Sequence, residues 1–171
     1  MSKVASKIAS VGTRRPGFYE RDYYAWIRKQ VRAIRERGLE EVDWTNVAEE
    51  MEDLGKSEKR SVESHIARII EHLLKLSYTP AHPGRLNRRG WEITVREARR
   101  QLRRLFDESP SLRRKTREVF PHAYQGGRNA VLIGTTLSEA VLPESPPWSL
   151  EQVLDEGFIP NGRGSSGQTN N

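Results

Sequence analysis

Five arginines, Arg96, Arg99, Arg100, Arg103 and Arg104, fall within nine consecutive positions. A guanidinium donates two parallel hydrogen bonds to phosphate or carboxylate oxygens, and a row of them displaces the counterions of a polyanion. On a wheel of 3.6 residues per turn the five occupy a wedge of about 140°, read as lying opposite an apolar stripe. Arg85, Arg88 and Arg89 precede the row, and Arg113, Arg114, Lys115 and Arg117 follow it. The chemistry on offer is phosphate-backbone binding. Two structural readings compete with it: a solvated helix face, or a face paired with an acidic helix.

A second constellation joins His65, His72 and Glu50. The histidines stand seven residues apart on one helix flank, and Glu50 flanks the apolar side of the preceding helix. Imidazoles and carboxylates from adjacent helices are the ligand types that hold metals inside bundles. The spacing argues against it: neither histidine has a Glu three residues earlier, and seven residues span about 10 Å of helix axis. A boundary histidine bonded to a carboxylate or carbonyl is the structural alternative.

Catalytic templates are missing. Gly12 and Gly17 are not followed by the Lys-Ser/Thr of a phosphate loop, and there is no dinucleotide fingerprint and no G-x-S-x-G elbow. With no cysteine in the chain, disulfides, thiolate metal sites and cysteine nucleophiles are excluded. The reading is of a non-enzymatic chain with no cofactor.

Helices must position these groups. Tyr19, Tyr23, Trp26, Ile27, Gln30 and Ile34 share one side of a helix spanning about Phe18 to Arg37, stopped by Gly38. Asp43 caps a second, to about Leu54, with Trp44, Val47, Met51 and Leu54 inward and Gly55 as its end. Val62, Ile66, Ile69, Leu73 and Leu76, with Ile70 beside them, give a third from Glu58 to Tyr78. The fourth covers Trp91 to Glu108, its apolar side carrying Val95, Ala98, Leu102, Leu105 and Phe106. Pro121, Gly126 and Gly127 split the stretch after Pro110 into two helices, and a short capped helix runs from Ser149 to Leu154. No stretch alternates like a strand.

Charge is uneven over the 171 residues. The net charge is +6, but Gly38 to Glu58 carries eight acids against Lys56, while Arg85 to Arg128 carries thirteen basic residues against five acids. Such a balance favours anionic partners without dictating a fold. The aromatic cluster of Phe18, Tyr19, Tyr23, Tyr24 and Trp26 reads as core, with Tyr24 at its rim as a candidate interface ring.

Several segments carry a resemblance. They are Tyr19 to Trp26 (YERDYYAW), Glu49 to Arg60 (EEMEDLGKSEKR), His72 to Pro80 (HLLKLSYTP), Trp91 with Arg96, Ser109 to Leu112 (SPSL), and Pro147 to Asp155 (PWSLEQVLD). In this order the chain resembles the bacterial family called "domain of unknown function 29", common in cyanobacteria, over roughly Phe18 to Pro160. The resemblance implies a helical, cytoplasmic protein and supplies no activity, cofactor or catalytic residue. The stretch from Pro121 to Gly134 departs most from the family pattern.

The sequence therefore predicts an all-α helical bundle of about five to six helices, as one domain over residues 18–160. Residues 1–17 and 161–171 are expected to be disordered arms. No run approaches the roughly 20 apolar residues that span a bilayer, so no membrane partner is expected. The expected partner is another protein, with nucleic acid second and metal-dependent catalysis third; oligomeric state is open.

Overall fold

Asp22 breaks the first expected helix in two. Its backbone leaves the helical region and its side chain accepts from the Ala25 amide at 2.9 Å, so it caps a new helix. The computed structural model describes residues 17–80 and 87–160. The expected arms up to residue 16 and from residue 161, and residues 81–86, lie outside the described residues. Among the described residues the chain is all-α, with no strand. Its helices are α1 (Phe18–Arg21), α2 (Tyr23–Arg35), α3 (Trp44–Tyr78), α4 (Arg88–Glu108), α5 (Ser111–Gly134) and α6 (Leu150–Leu154), with 3-10 turns at Leu39–Glu41 and Glu139–Val141. The chain forms two compact units, Met1–Asp53 and Leu54–Asn171.

In the first unit, α2 ends as its sequence requires. Arg37 adopts a left-handed φ of 61°, and the Gly38 amide reaches back to the Ala33 carbonyl at 2.9 Å. Trp26, Gln30, Ala33 and Val42 are buried. The Asp43 amide donates to Gln30 Oε1 at 2.7 Å, and Asp43 accepts from the Asn46 amide at 3.3 Å, which caps α3.

Trp44, Met51 and Leu54, expected inward, are exposed. The side of α3 that meets α1 and α2 is polar instead: Glu50 accepts from Tyr19 and Tyr23, and Asn46 Nδ2 donates to Asp43 Oδ2 at 2.6 Å. A unit this small has too little interior to cover every apolar stripe on its surface.

The second unit holds the main core. Val62, Ile66, Ile69, Ile70, Leu73 and Leu76 are all buried, as their spacing predicts, against Val95 and Leu102 of α4 and Val119 and Val131 of α5. Gly55 does not end a helix: α3 runs through it. A glycine costs a helix only about 1 kcal/mol, too little to break one that packing holds on one side. Nothing lies within 4 Å of a Cβ built at Gly55. Gly55→Ala is therefore expected to raise stability by about 0.5–1 kcal/mol, read as a higher thermal midpoint; an unchanged or lower midpoint contradicts that reading.

Pro121 does not split α5, which runs unbroken from Ser111 to Gly134. Pro121 is exposed, and buried Val119, Ala123, Tyr124, Gly127 and Val131 lie on both sides of it. Packing thus continues across the missing backbone bond. Gly127 fits α5 tightly against α3: a Cβ there would stand 2.6 Å from the Ala67 carbonyl oxygen.

Beyond α5 the chain is tied down by polar groups. Tyr124 Oη donates to the Pro143 carbonyl at 2.6 Å, and Arg128 Nε donates to the same oxygen at 3.1 Å. Arg128 also pairs with Glu139 at 3.0 Å. Ser149 and Gln152 cap α6 reciprocally, as the sequence implies.

Candidate functional site

Burial of Val95, Ala98, Leu102 and Phe106 fixes the rotation of α4 and so the direction of each arginine. Arg96, Arg100, Arg103 and Arg104 are exposed. Arg99 is not: only 4% of it is accessible. At 100° per residue it stands about 20° round the helix from Phe106, so it belongs to the packed side and not to the open row. Its Nε donates to the Val153 carbonyl and its Nη1 to the Phe158 carbonyl, each at 2.9 Å. Burial pulls its pKa down to about 10, and Asp155 opposes that shift, so it remains charged at neutral pH. It clamps the chain that follows α6.

The open arginines gather around that clamped segment. Arg96, Arg100, Arg103 and Glu156, with Arg99 at the wall, line a cleft of about 270 Å³. An adjoining cleft of about 320 Å³ shares Arg103 and adds Arg113, Glu151, Asp155 and the apolar Leu102, Phe106 and Leu154. A third, of about 650 Å³, shares Arg113, Glu151 and Leu154 and adds Arg114 and Arg117. The sequence placed Arg113, Arg114 and Arg117 after the row; the turn between α4 and α5 brings them beside it.

Carboxylates alternate with these cations. Arg100 pairs with Glu97 at 2.5 Å, Arg103 with Glu156, and Arg117 with Glu151 at 3.7 Å. The Arg113 guanidinium sits 5.4 Å from the centre of the Phe106 ring, within cation–π range. Hydrogen bonds from Arg100 and then Gln101 hold Glu97 below the usual carboxylate range, and the Arg104 charge adds to this. Arg96 has no hydrogen bond or ion pair among the described residues. Glu151, Asp155 and Glu156 are the residues that sequence reasoning missed, because they lie 34 to 56 positions along the chain from the arginines they meet. The only signal was the PWSLEQVLD motif.

Of the candidate metal residues Glu50, His65 and His72, Glu50 and His72 make other hydrogen bonds. Glu50, in the first unit, accepts from Tyr19, and from Tyr23 at 2.5 Å. The Glu50 hydrogen bond pushes the Tyr19 phenol up to about 12 and raises that of Tyr23. In the second unit, His72 Nδ1 lies 2.9 Å from the Arg68 carbonyl, one turn back on its own helix. Among the described residues no three His, Cys, Asp or Glu side chains gather to hold a metal ion.

Both histidines carry a pH signature. Burial holds His65 below its ordinary value, helped by the Arg68 charge and opposed by Glu97. Burial does the same for His72, opposed by its Arg68 carbonyl bond and by Glu71. The unfolded chain therefore takes up these protons first as pH falls. Their stabilisation is complete above about pH 6.5 and is lost as pH drops through the folded-state values. The thermal midpoint is expected to fall between about pH 7 and pH 5, and replacing both by glutamine should flatten that fall. A wild-type midpoint constant over this window contradicts the assignment.

No helix among the described residues is long and apolar enough to cross a membrane. No curated protein and no solved structure matches the chain. A family match covers residues 18–159, which takes in all six helices and every residue of the arginine-lined clefts. On that match the chain belongs to the family described as "Domain of unknown function DUF29".

Proposed function

We propose that this domain is a non-enzymatic interaction module that binds an acidic segment of a protein partner in the arginine-lined clefts of its second unit. The observation that carries this reading is the composition of the three joined clefts. Exposed Arg96, Arg100, Arg103, Arg113, Arg114 and Arg117 alternate with Glu151, Asp155 and Glu156 over an apolar floor of Leu102, Phe106 and Leu154.

A nucleic-acid strand offers one sign of charge at every repeat, so it gains the arginines but meets the carboxylates too. A peptide that mixes Asp or Glu with apolar side chains matches both the cations and the floor. Its carboxylates can exchange with Glu151 and Glu156, whose arginine partners are already oriented. Binding the phosphate backbone through α4 is the second reading, favoured by Arg96, which carries no partner among the described residues.

Fluorescence anisotropy separates the two. Purified protein is titrated with a labelled peptide of mixed glutamate and leucine, and with a DNA strand of equal charge, at about 150 mM salt. The peptide is expected to bind more tightly than the DNA. Changing Arg100 and Arg103, which line the clefts, to Glu is expected to weaken it roughly tenfold or more. Tighter DNA binding that falls steeply with salt overturns the protein reading in favour of the phosphate backbone.

A further inference from the structure

The first unit carries two apolar seams that its own interior leaves largely open, with Ile27 and Val47 half-buried in them. On α2, Tyr24, Ile27, Val31 and Ile34 are spaced three, four and three residues apart, and on α3, Trp44, Val47, Met51 and Leu54 repeat that spacing. This is the interval of helices that pack side by side through a heptad seam. Each seam is about 15 Å long at 1.5 Å per residue. Tyr24 is 69% exposed, Trp44 54% and Met51 71%, with Val31 and Ile34 exposed as well. Leu54, the first residue past the unit's end, is exposed too.

The seams differ in the charge beside them. Going round α2 at 100° per residue, the buried face with Trp26 and Gln30 gives way to the seam and then to Arg35, Arg28 and Arg32. Going round α3 the same way, Glu50, which holds Tyr19 and Tyr23, gives way to the seam and then to Ala48, Glu52 and Glu49. The two helices thus show matched seams of equal length bordered by opposite charge. Within one chain they already meet through their other faces, by way of Trp26, Gln30, Asp43 and Glu50.

We propose that the first unit docks a second copy of this chain, the α2 seam of each protomer lying against the α3 seam of its partner. A two-fold arrangement satisfies both contacts at once, because each protomer supplies one cationic and one anionic seam. This does not rest on the arginine-lined clefts, which belong to the second unit.

Sedimentation equilibrium on the full chain with exchanged charges is the test. One variant carries Arg28→Glu and Arg35→Glu, the other Glu49→Lys and Glu52→Lys; Glu50 is left alone because it holds the tyrosines. The wild type is expected to dimerise below about 100 μM. Each variant alone should dimerise at least about tenfold more weakly, and an equimolar mixture should recover wild-type affinity, because both seams are then matched again. That recovery also shows that both variants are folded. A wild type that stays monomeric, variants that dimerise as it does, or a mixture that stays monomeric each overturns the proposal.

Discussion

Leucine at Gly127 is expected to unfold the second unit. The first atom of any side chain there would lie 2.6 Å from the Ala67 carbonyl oxygen, 2.9 Å from Ile70 Cγ2 and 3.0 Å from the Glu71 amide. Two of these three atoms are helix backbone, so α3 cannot move aside without opening the layer of Ile66, Ile70 and Leu74 around it. Overpacking a core costs about 1–3 kcal/mol, and an obstruction built of backbone belongs at or above the top of that range. The neighbouring Gly126 is the control: its Cβ would meet only Ala67 Cβ, at 3.6 Å. Gly126→Ala should hold or raise the thermal midpoint by the helix-propensity gain of up to about 1 kcal/mol. Circular dichroism melts of the two variants check both statements, and a Gly127→Leu melt matching the wild type contradicts the close approach.

Arg99→Leu is the second large effect. The substitution removes the donors that satisfy the Val153 and Phe158 carbonyls, both on the segment that α4 holds in place. Each stranded carbonyl costs about 1–3 kcal/mol if water cannot reach it, so a loss of roughly 2–4 kcal/mol is expected. Lysine should rescue little, because one ammonium cannot reproduce a planar fork aimed at two oxygens. The damage should be local at first: Trp148 and Phe158 pack edge to face at 6.1 Å, so the tryptophan emission reports release of the segment. Arg96→Ala and Arg104→Ala, on the exposed side of the same helix, are expected to change stability by no more than about 0.5 kcal/mol. Equal effects at Arg96 and Arg99 contradict the division between clamp and open row.

That division also shows where sequence reading stops. Val62 to Leu76 were legible because seven-residue recurrence and full burial go together in a helix that others surround. Asp43 and Ser149 were legible because a capping side chain acts within three residues of itself. Gly55 and Pro121 were misjudged as stops. Their costs are local and fixed, whereas the packing that outweighs them comes from partners elsewhere in the chain. Trp44 and Met51 were placed inward because a stripe records only that it is apolar, and not what covers it. Arg99 looked like one of five equivalents until Phe106 set the rotation of α4 and the carbonyls of Val153 and Phe158 claimed it. The charge row itself was readable; its mixture with Glu151, Asp155 and Glu156 arises only from folding.

The arginine-lined clefts carry the functional reading, and amide chemical-shift mapping tests them most directly. The isotope-labelled chain is titrated with the mixed glutamate–leucine peptide, and the perturbed amides are placed on the fold. Perturbations are expected to concentrate at residues 96–104, 113–117 and 150–156, and to vanish when Arg100 and Arg103 are changed to Glu. Saturable peptide binding that perturbs other surfaces and leaves these three stretches unmoved, or no binding at all, contradicts the account.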